Sequence, residues 1–165
     1  MCSSDLNVFP DLTLAENLAL AIVGTDRRKW VLHRPVAAYE DLRRQALESL
    51  ARVGLEGRAD QPAKLVSYGE RRQLELALAL STKPKVLFLD EPCAGLSPAE
   101  RQRISQMITG LPRDITLLMI EHDMDVALGL ADRVTVLHQG RVILEGSPGE
   151  VRANAQVRDV YFGHA

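Results

Sequence analysis

The sequence predicts an α/β domain preceded by a mainly helical part, and three observations carry that prediction. Residues 86–90 and 115–120 are short apolar runs of the kind a buried parallel strand shows, with a helix-length segment between them. Residues 133–138 and 141–145 flank Gln139-Gly140, the pattern of an antiparallel hairpin. Before residue 82 the chain reads as mainly helical. Strand, helix, strand, helix and hairpin in that order imply an α/β sheet with a helical insert ahead of it.

The elements follow one by one. Residues 1–12 read as an irregular entry. The string Met1-Cys2-Ser3-Ser4-Asp5-Leu6 matches what a common sequencing adapter encodes, so Met1 is not expected to be a natural start. Thr13 with Glu16 forms a capping box, Leu14, Leu18 and Ile22 recur at helical spacing, and Gly24 is the expected stop. Arg27-Arg28-Lys29-Trp30 reads as a basic turn. A second helix is expected over 35–53, with Leu42, Ala46, Leu47 and Leu50 on one face and Gly54 ending it.

Residues 70–82 place Leu74, Leu76, Leu78 and Leu80 at a spacing of two, which by itself argues strand. The intervening Glu75, Ala77 and Ala79 are good helix formers and the run has no β-branched residue, so a mostly buried helix is expected. Ser97-Pro98 opens the next helix, proline suiting the first turn. Further helices are expected over 123–131, 148–153 and 155–161. There are no internal repeats and no low-complexity segments.

Composition narrows the class. The chain has 165 residues, 46% apolar and 25% charged, the balance of an ordinary globular domain. A net charge of −2 gives no reason to expect nucleic acid or an anionic membrane as partner. Cys2 and Cys93 lie far apart without ligand spacing, so neither a disulfide framework nor a zinc site is expected, and a reducing cytoplasm fits. No apolar run approaches the roughly 20 residues that span a bilayer, and nothing at the start resembles a signal peptide. Work at a membrane would then pass through a partner.

Three motifs carry chemistry. Asp90-Glu91-Pro92 closes the first strand and delivers two carboxylates to its C-terminal edge, where open α/β sheets bind their ligands. Nucleotide hydrolysis needs a metal bridging the phosphates and a group that orients water. Asp90 is placed to hold the metal and Glu91 to act as general base. Ser67-Tyr68-Gly69-Glu70 precedes a helix: Ser67 is a natural cap, and Gly69 has no side chain to keep a phosphate off the backbone. His122 follows the second strand, so it should reach the same edge and donate to a terminal phosphate and the attacking water. Alone, each has a plainer reading, as solvated acids, an ordinary helix start or a packing histidine. His33, His138 and His164 have no motif context and keep that plainer reading.

Their joint occurrence decides. Asp90 lies 23 residues after Ser67 and His122 32 residues after Asp90. That order and spacing resemble the ATP-binding subunits of ABC transporters, where the three strings are called the signature, Walker B and switch-histidine motifs. Leu89 to Pro98 also resembles the Walker B and D-loop pair. Phe9 to Leu18 looks like the segment after the Q-loop. Ser67 to Glu75, Glu121 to Val126 and the closing Val160-Tyr161-Phe162-Gly163 resemble branched-chain amino-acid importers. Urea and lipopolysaccharide transport ATPases carry similar strings.

The resemblance implies a partial P-loop NTPase fold of the ABC type, with buried parallel strands, a C-terminal hairpin and a helical subdomain. Residues 1–165 would form a single partial nucleotide-binding domain, 7–82 the helical subdomain with the signature helix, and 83–165 the catalytic half with the tail. It implies ATP and Mg²⁺ as cofactors, Glu91 and His122 as catalytic residues, and Asp90 at the metal. Ser67, Tyr68, Gly69 and Glu70 would reach the ATP of a partner subunit. A second ATPase subunit, transmembrane permease subunits and, indirectly, a substrate-binding protein are the implied partners, with no nucleic acid. The implied location is cytoplasmic, peripheral on the inner face of the plasma membrane.

The chain departs from the family pattern at four points. The phosphate loop G-x-x-x-x-G-K-[ST] is missing, as are the adenine-stacking aromatic residue and the Q-loop glutamine, and Ser97 stands where many ABC proteins place Asp. The reading is an N-terminally truncated subunit, inactive alone. The alternatives are a soluble ABC-type ATPase acting on DNA or ribosomes, and a catalytically silent interaction subunit.

Overall fold

The computed structural model describes residues 8–30, 35 and 38–162; the adapter-like string, His33 and His164 lie outside the described residues. Helix α1 (Leu14–Thr25) begins at the expected capping box, with both Thr13–Glu16 bonds formed, and runs one residue past Gly24. The basic segment is a 3₁₀ turn, Arg27–Trp30. Helix α2 (Glu40–Arg52) starts later than the sequence pattern suggests, because Tyr39 is extended, with φ −103° and ψ 95°, and Glu40 and Asp41 place their charge at the first turn. Gly54 at φ 70° ends that stretch in the left-handed region a glycine occupies without strain.

Helix α3 (Tyr68–Ser81) is the segment with leucines at every second position. Its neighbours explain the pattern. Leu74 packs into the cluster that α1 and α2 build from Leu14, Leu18, Leu42, Leu50 and Leu55, all fully or almost fully buried. Leu76 faces the other way, into a cleft with residues of the strand that follows. A helix covered on two sides has no need of a single apolar stripe. Two buried polar side chains pin the parts together. Asn17 takes the Phe9 N–H on Oδ1 at 2.8 Å and donates to Phe9 O and Thr13 O, fixing the entry loop. Gln73 donates to Val53 O at 2.8 Å, tying α3 to the end of α2.

Strands β1 (Val86–Asp90) and β2 (Thr116–Ile120) pair in parallel, with Phe88 beside Leu118 and Asp90 beside Ile120. Helices α4 (Pro98–Thr109) and α5 (Met124–Leu130) supply Ile104, Ile108 and Val126 to a second cluster, which Leu117 and Met119 join. The strands differ from the fully buried pair expected. One face is covered, while Val86, Phe88, Leu118 and Ile120 on the other are 49–70% exposed.

Strands β3 (Val134–His138) and β4 (Arg141–Gly146) form the expected hairpin, with Gln139 and Gly140 both at positive φ, as a two-residue type I′ turn requires. The hairpin is a second two-stranded sheet rather than an extension of β1–β2, since no described strand joins β2 to β3. It has its own small core: Val136 of β3 packs with Leu128 of α5, Val151 of helix α6 (Pro148–Ala153) and Val157, which ends the short α7 (Ala155–Val157). A π-turn, Arg158–Phe162, follows. No described helix is long and apolar enough to cross a membrane.

Candidate functional site

The parallel register sets the site. Because Asp90 and Ile120 are neighbours, the residues that follow them leave the sheet at one edge. The Glu91 N–H donates to Ile120 O at 2.9 Å, carrying the ladder one residue past the strand. Glu91 itself sits at φ 45°, a region that costs a non-glycine residue about 1–3 kcal/mol. The kink aims its side chain across the edge. Oε1 lies 3.0 Å from His122 Nδ1, and both side chains keep solvent access. An acid and an imidazole 31 residues apart in sequence thus share a hydrogen bond.

The neighbouring acids do different work. Glu121 accepts the Cys93 N–H on Oε1 at 3.2 Å and holds the turn after Pro92. Cys93 is buried there; that burial, and next the Glu121 charge, push its thiol pKa up. Asp123 caps α5 through Oδ1 and pairs through Oδ2 with Arg101 of α4 at 2.5 Å. In the sequence Glu121 stood out only as part of the string around His122, with no role of its own, and Arg101 did not stand out at all. Asp90 lies with Arg72, Glu75 and Pro92 along a cleft of about 70 Å³ between α3, β1 and α4.

The second group of candidates meets at the start of α3. The Ser67 hydroxyl accepts the Glu70 N–H at 3.2 Å, and the Glu70 carboxylate accepts the Ser67 N–H at 2.8 Å. Tyr68 is half exposed, with the Arg72 guanidinium 5.6 Å from its ring centre. Arg72 is also held by Glu75 at 3.1 Å. Burial alone would lower the guanidinium pKa; the hydrogen bond to Tyr68 and the Glu75 charge outweigh it and raise it. A side chain at Gly69 would come within 2.1 Å of Glu100 Oε1, and one at Gly95, itself at φ 71°, would touch the Tyr68 ring at 3.5 Å. The start of α3 therefore rests against the turn after Glu91 and the start of α4.

The donor set fits Mg²⁺ in a limited way. No three His, Cys, Asp or Glu side chains among the described residues converge as a metal cage. Mg²⁺ is typically held by one or two carboxylates with substrate phosphates completing the shell, and Asp90 would be one such carboxylate. His138 ends β3 in the separate hairpin sheet and takes no part in this edge.

Comparison with known proteins identifies the family and the fold. The ABC transporter family model matches residues 1–94, and a model described as branched-chain amino acid ATP-binding cassette transporter matches residues 141–165. The chain is 36% identical to the high-affinity branched-chain amino acid transport ATP-binding protein LivG of Salmonella typhimurium, covering 97% of this chain and 66% of that protein. It is 33% identical to BraF of Pseudomonas aeruginosa, another such protein, over 98% of this chain and 66% of the relative. The crystal structure of an ATP-binding cassette of an ABC transporter in its ADP conformation superposes with a TM-score of 0.74 at 27% identity, over 94% of this chain and 64% of that one. The chain thus spans about 66% of the length of the curated relatives it matches. With more than half of its residues under the family model and its α/β fold shared with a solved cassette, this chain belongs to the ABC transporter family.

Proposed function

We propose that this chain is the signature-to-tail part of an ATP-hydrolysing subunit that energises uptake of branched-chain amino acids. The observation that carries the reading is the Glu91–His122 hydrogen bond at the C-terminal edge of β1 and β2. Glu91 acts as general base toward the attacking water. With Nδ1–H donated to Glu91, a neutral His122 has only a lone pair at Nε2, whereas the imidazolium donates from both nitrogens. His122 therefore contacts the terminal phosphate best when protonated. Asp90 would hold Mg²⁺, which supplies charge neutralisation at the β- and γ-phosphates. Ser67, Tyr68, Gly69 and Glu70 face the ATP of a second subunit, where the free N–H groups and dipole of the α3 start favour an anion. The relatives' names and the tail match support the amino-acid assignment. Paired permease subunits, docked on residues 7–82, and indirectly a substrate-binding protein complete the machine on the inner face of the plasma membrane.

The test uses the complete subunit with its phosphate loop. Glu91→Gln is expected to bind ATP and hold it without turnover, read by retained radiolabelled ATP and phosphate release. Wild-type hydrolysis rates in that variant would remove Glu91 as the base. The 165-residue chain alone is expected to show no ATPase activity, and robust turnover by it would overturn the need for a separate phosphate cradle. Co-purification of permease subunits supports transport; co-purification of ribosomes or DNA instead would favour a soluble ATPase.

A further inference from the structure

Among the described residues four helices start with a capping box, and they serve as controls for one another. In three of them the cap hydroxyl both accepts the backbone N–H and donates its own proton to the box carboxylate. Thr13 donates to Glu16 at 2.8 Å, Ser97 to Glu100 at 2.5 Å and Ser147 to Glu150 at 2.8 Å. The fourth is Ser67 with Glu70. Here the reciprocal backbone bonds are present, at 3.2 and 2.8 Å, but among the described residues the Ser67 hydroxyl donates to nothing. A hydroxyl has one proton to give, and in this box it is uncommitted.

The cause sits across from the box. The other oxygen of Glu70, Oε1, lies 3.3 Å from Arg58 Nε. Arg58 is held in turn by Gln61 Oε1, 3.0 Å from its Nη1, and the Gln61 carbonyl accepts the Leu14 N–H at the start of α1. The guanidinium, half exposed, is thus held between Glu70 and Gln61. A carboxylate that gives one oxygen to a guanidinium is oriented by it, and here Oε2 serves the Ser67 N–H alone.

We propose that Arg58 is a positioning residue for the signature: by drawing Glu70 aside it leaves the Ser67 hydroxyl proton for the terminal phosphate of the ATP held by the second subunit. The inference rests on the functional reading above and adds a residue outside the motif to it. Without Arg58, Glu70 closes on the hydroxyl as in the other three boxes, and the phosphate loses a donor.

The experiment follows steady-state ATP hydrolysis in the complete subunit, with KM and kcat separated. Arg58→Met is expected to raise the KM for ATP at least threefold with kcat within twofold and thermal stability little changed. Arg58→Lys, which restores the charge, is expected to recover part of the loss. The deciding background is Glu70→Ala. Without a carboxylate the box holds no acceptor for the hydroxyl, so the proton stays free whether or not Arg58 is present. In that background Arg58→Met is expected to leave KM where Glu70→Ala alone puts it. The same rise in KM in both backgrounds overturns the proposal, as does an unchanged KM in Arg58→Met. No turnover by the wild-type subunit removes the functional reading and this inference with it, whereas wild-type turnover with a silent Arg58→Met removes the inference alone.

Discussion

Gly69 shows how one residue's size decides local geometry. Its missing side chain leaves room for the Glu100 carboxylate, which a methyl would meet at 2.1 Å. The obstacle is the end of a flexible side chain, so Glu100 would move rather than the backbone. Moving it breaks its bonds to the Ser97 hydroxyl and N–H, which together hold its carboxyl below the ordinary 4.5. Gly69→Ala and Ser97→Ala should therefore be non-additive in a double-mutant cycle followed by urea unfolding, because both abolish one interaction. Full additivity would mean Glu100 accommodates the methyl without leaving its cap. The sequence showed Gly69 as a glycine at a helix start, but it had no means of showing what the space is used for, since Glu100 is 31 residues away.

The elements owe their starts to reciprocal caps. Thr13 accepts the Glu16 N–H at 3.1 Å, and the Glu16 carboxylate accepts the Thr13 N–H and hydroxyl at 2.8 Å. Thr13→Ala is expected to cost about 1 kcal/mol in chemical unfolding, the usual worth of a cap. No measurable loss would show that α1 is held by packing alone. The cap also has a pH signature. The Thr13 backbone bond, and next its hydroxyl bond, hold the Glu16 carboxyl below 4.5. A depressed acid contributes stability that is present above pH 4.5 and lost as pH falls through the lower folded value. Thr13→Ala should consequently matter less at pH 3 than at pH 7; an equal or larger effect in acid would contradict the assignment. These caps were legible as Thr13/Glu16, Ser67 and Ser97-Pro98, because a cap is a local event within four residues. The late start of α2 was not, because an uncapped start at Tyr39 is set by the path of the chain and not by a side chain.

At the scale of the whole molecule, the β1–β2 pair has one covered and one open face. Parallel pairs are normally covered on both, and an apolar face of this kind promotes association. The 165-residue chain is expected to bind an apolar fluorescent dye and to self-associate at micromolar concentration. Phe88→Ser with Ile120→Ser should reduce both while changing unfolding free energy by no more than about 0.5 kcal/mol per site, since both side chains are exposed. A large loss of stability instead would place them in a core. The sequence by itself determined the elements, the helix caps, the family and the order of the motifs, since these depend on residue type and short spacing. Only the tertiary structure decided that β1–β2 and the hairpin are separate sheets, that one strand face stays open, that Glu91 at φ 45° meets His122, and that Arg58 reaches Glu70. Those contacts join residues 12 to 31 positions apart, and what brings such pairs together is the packing of whole elements, which no local pattern encodes.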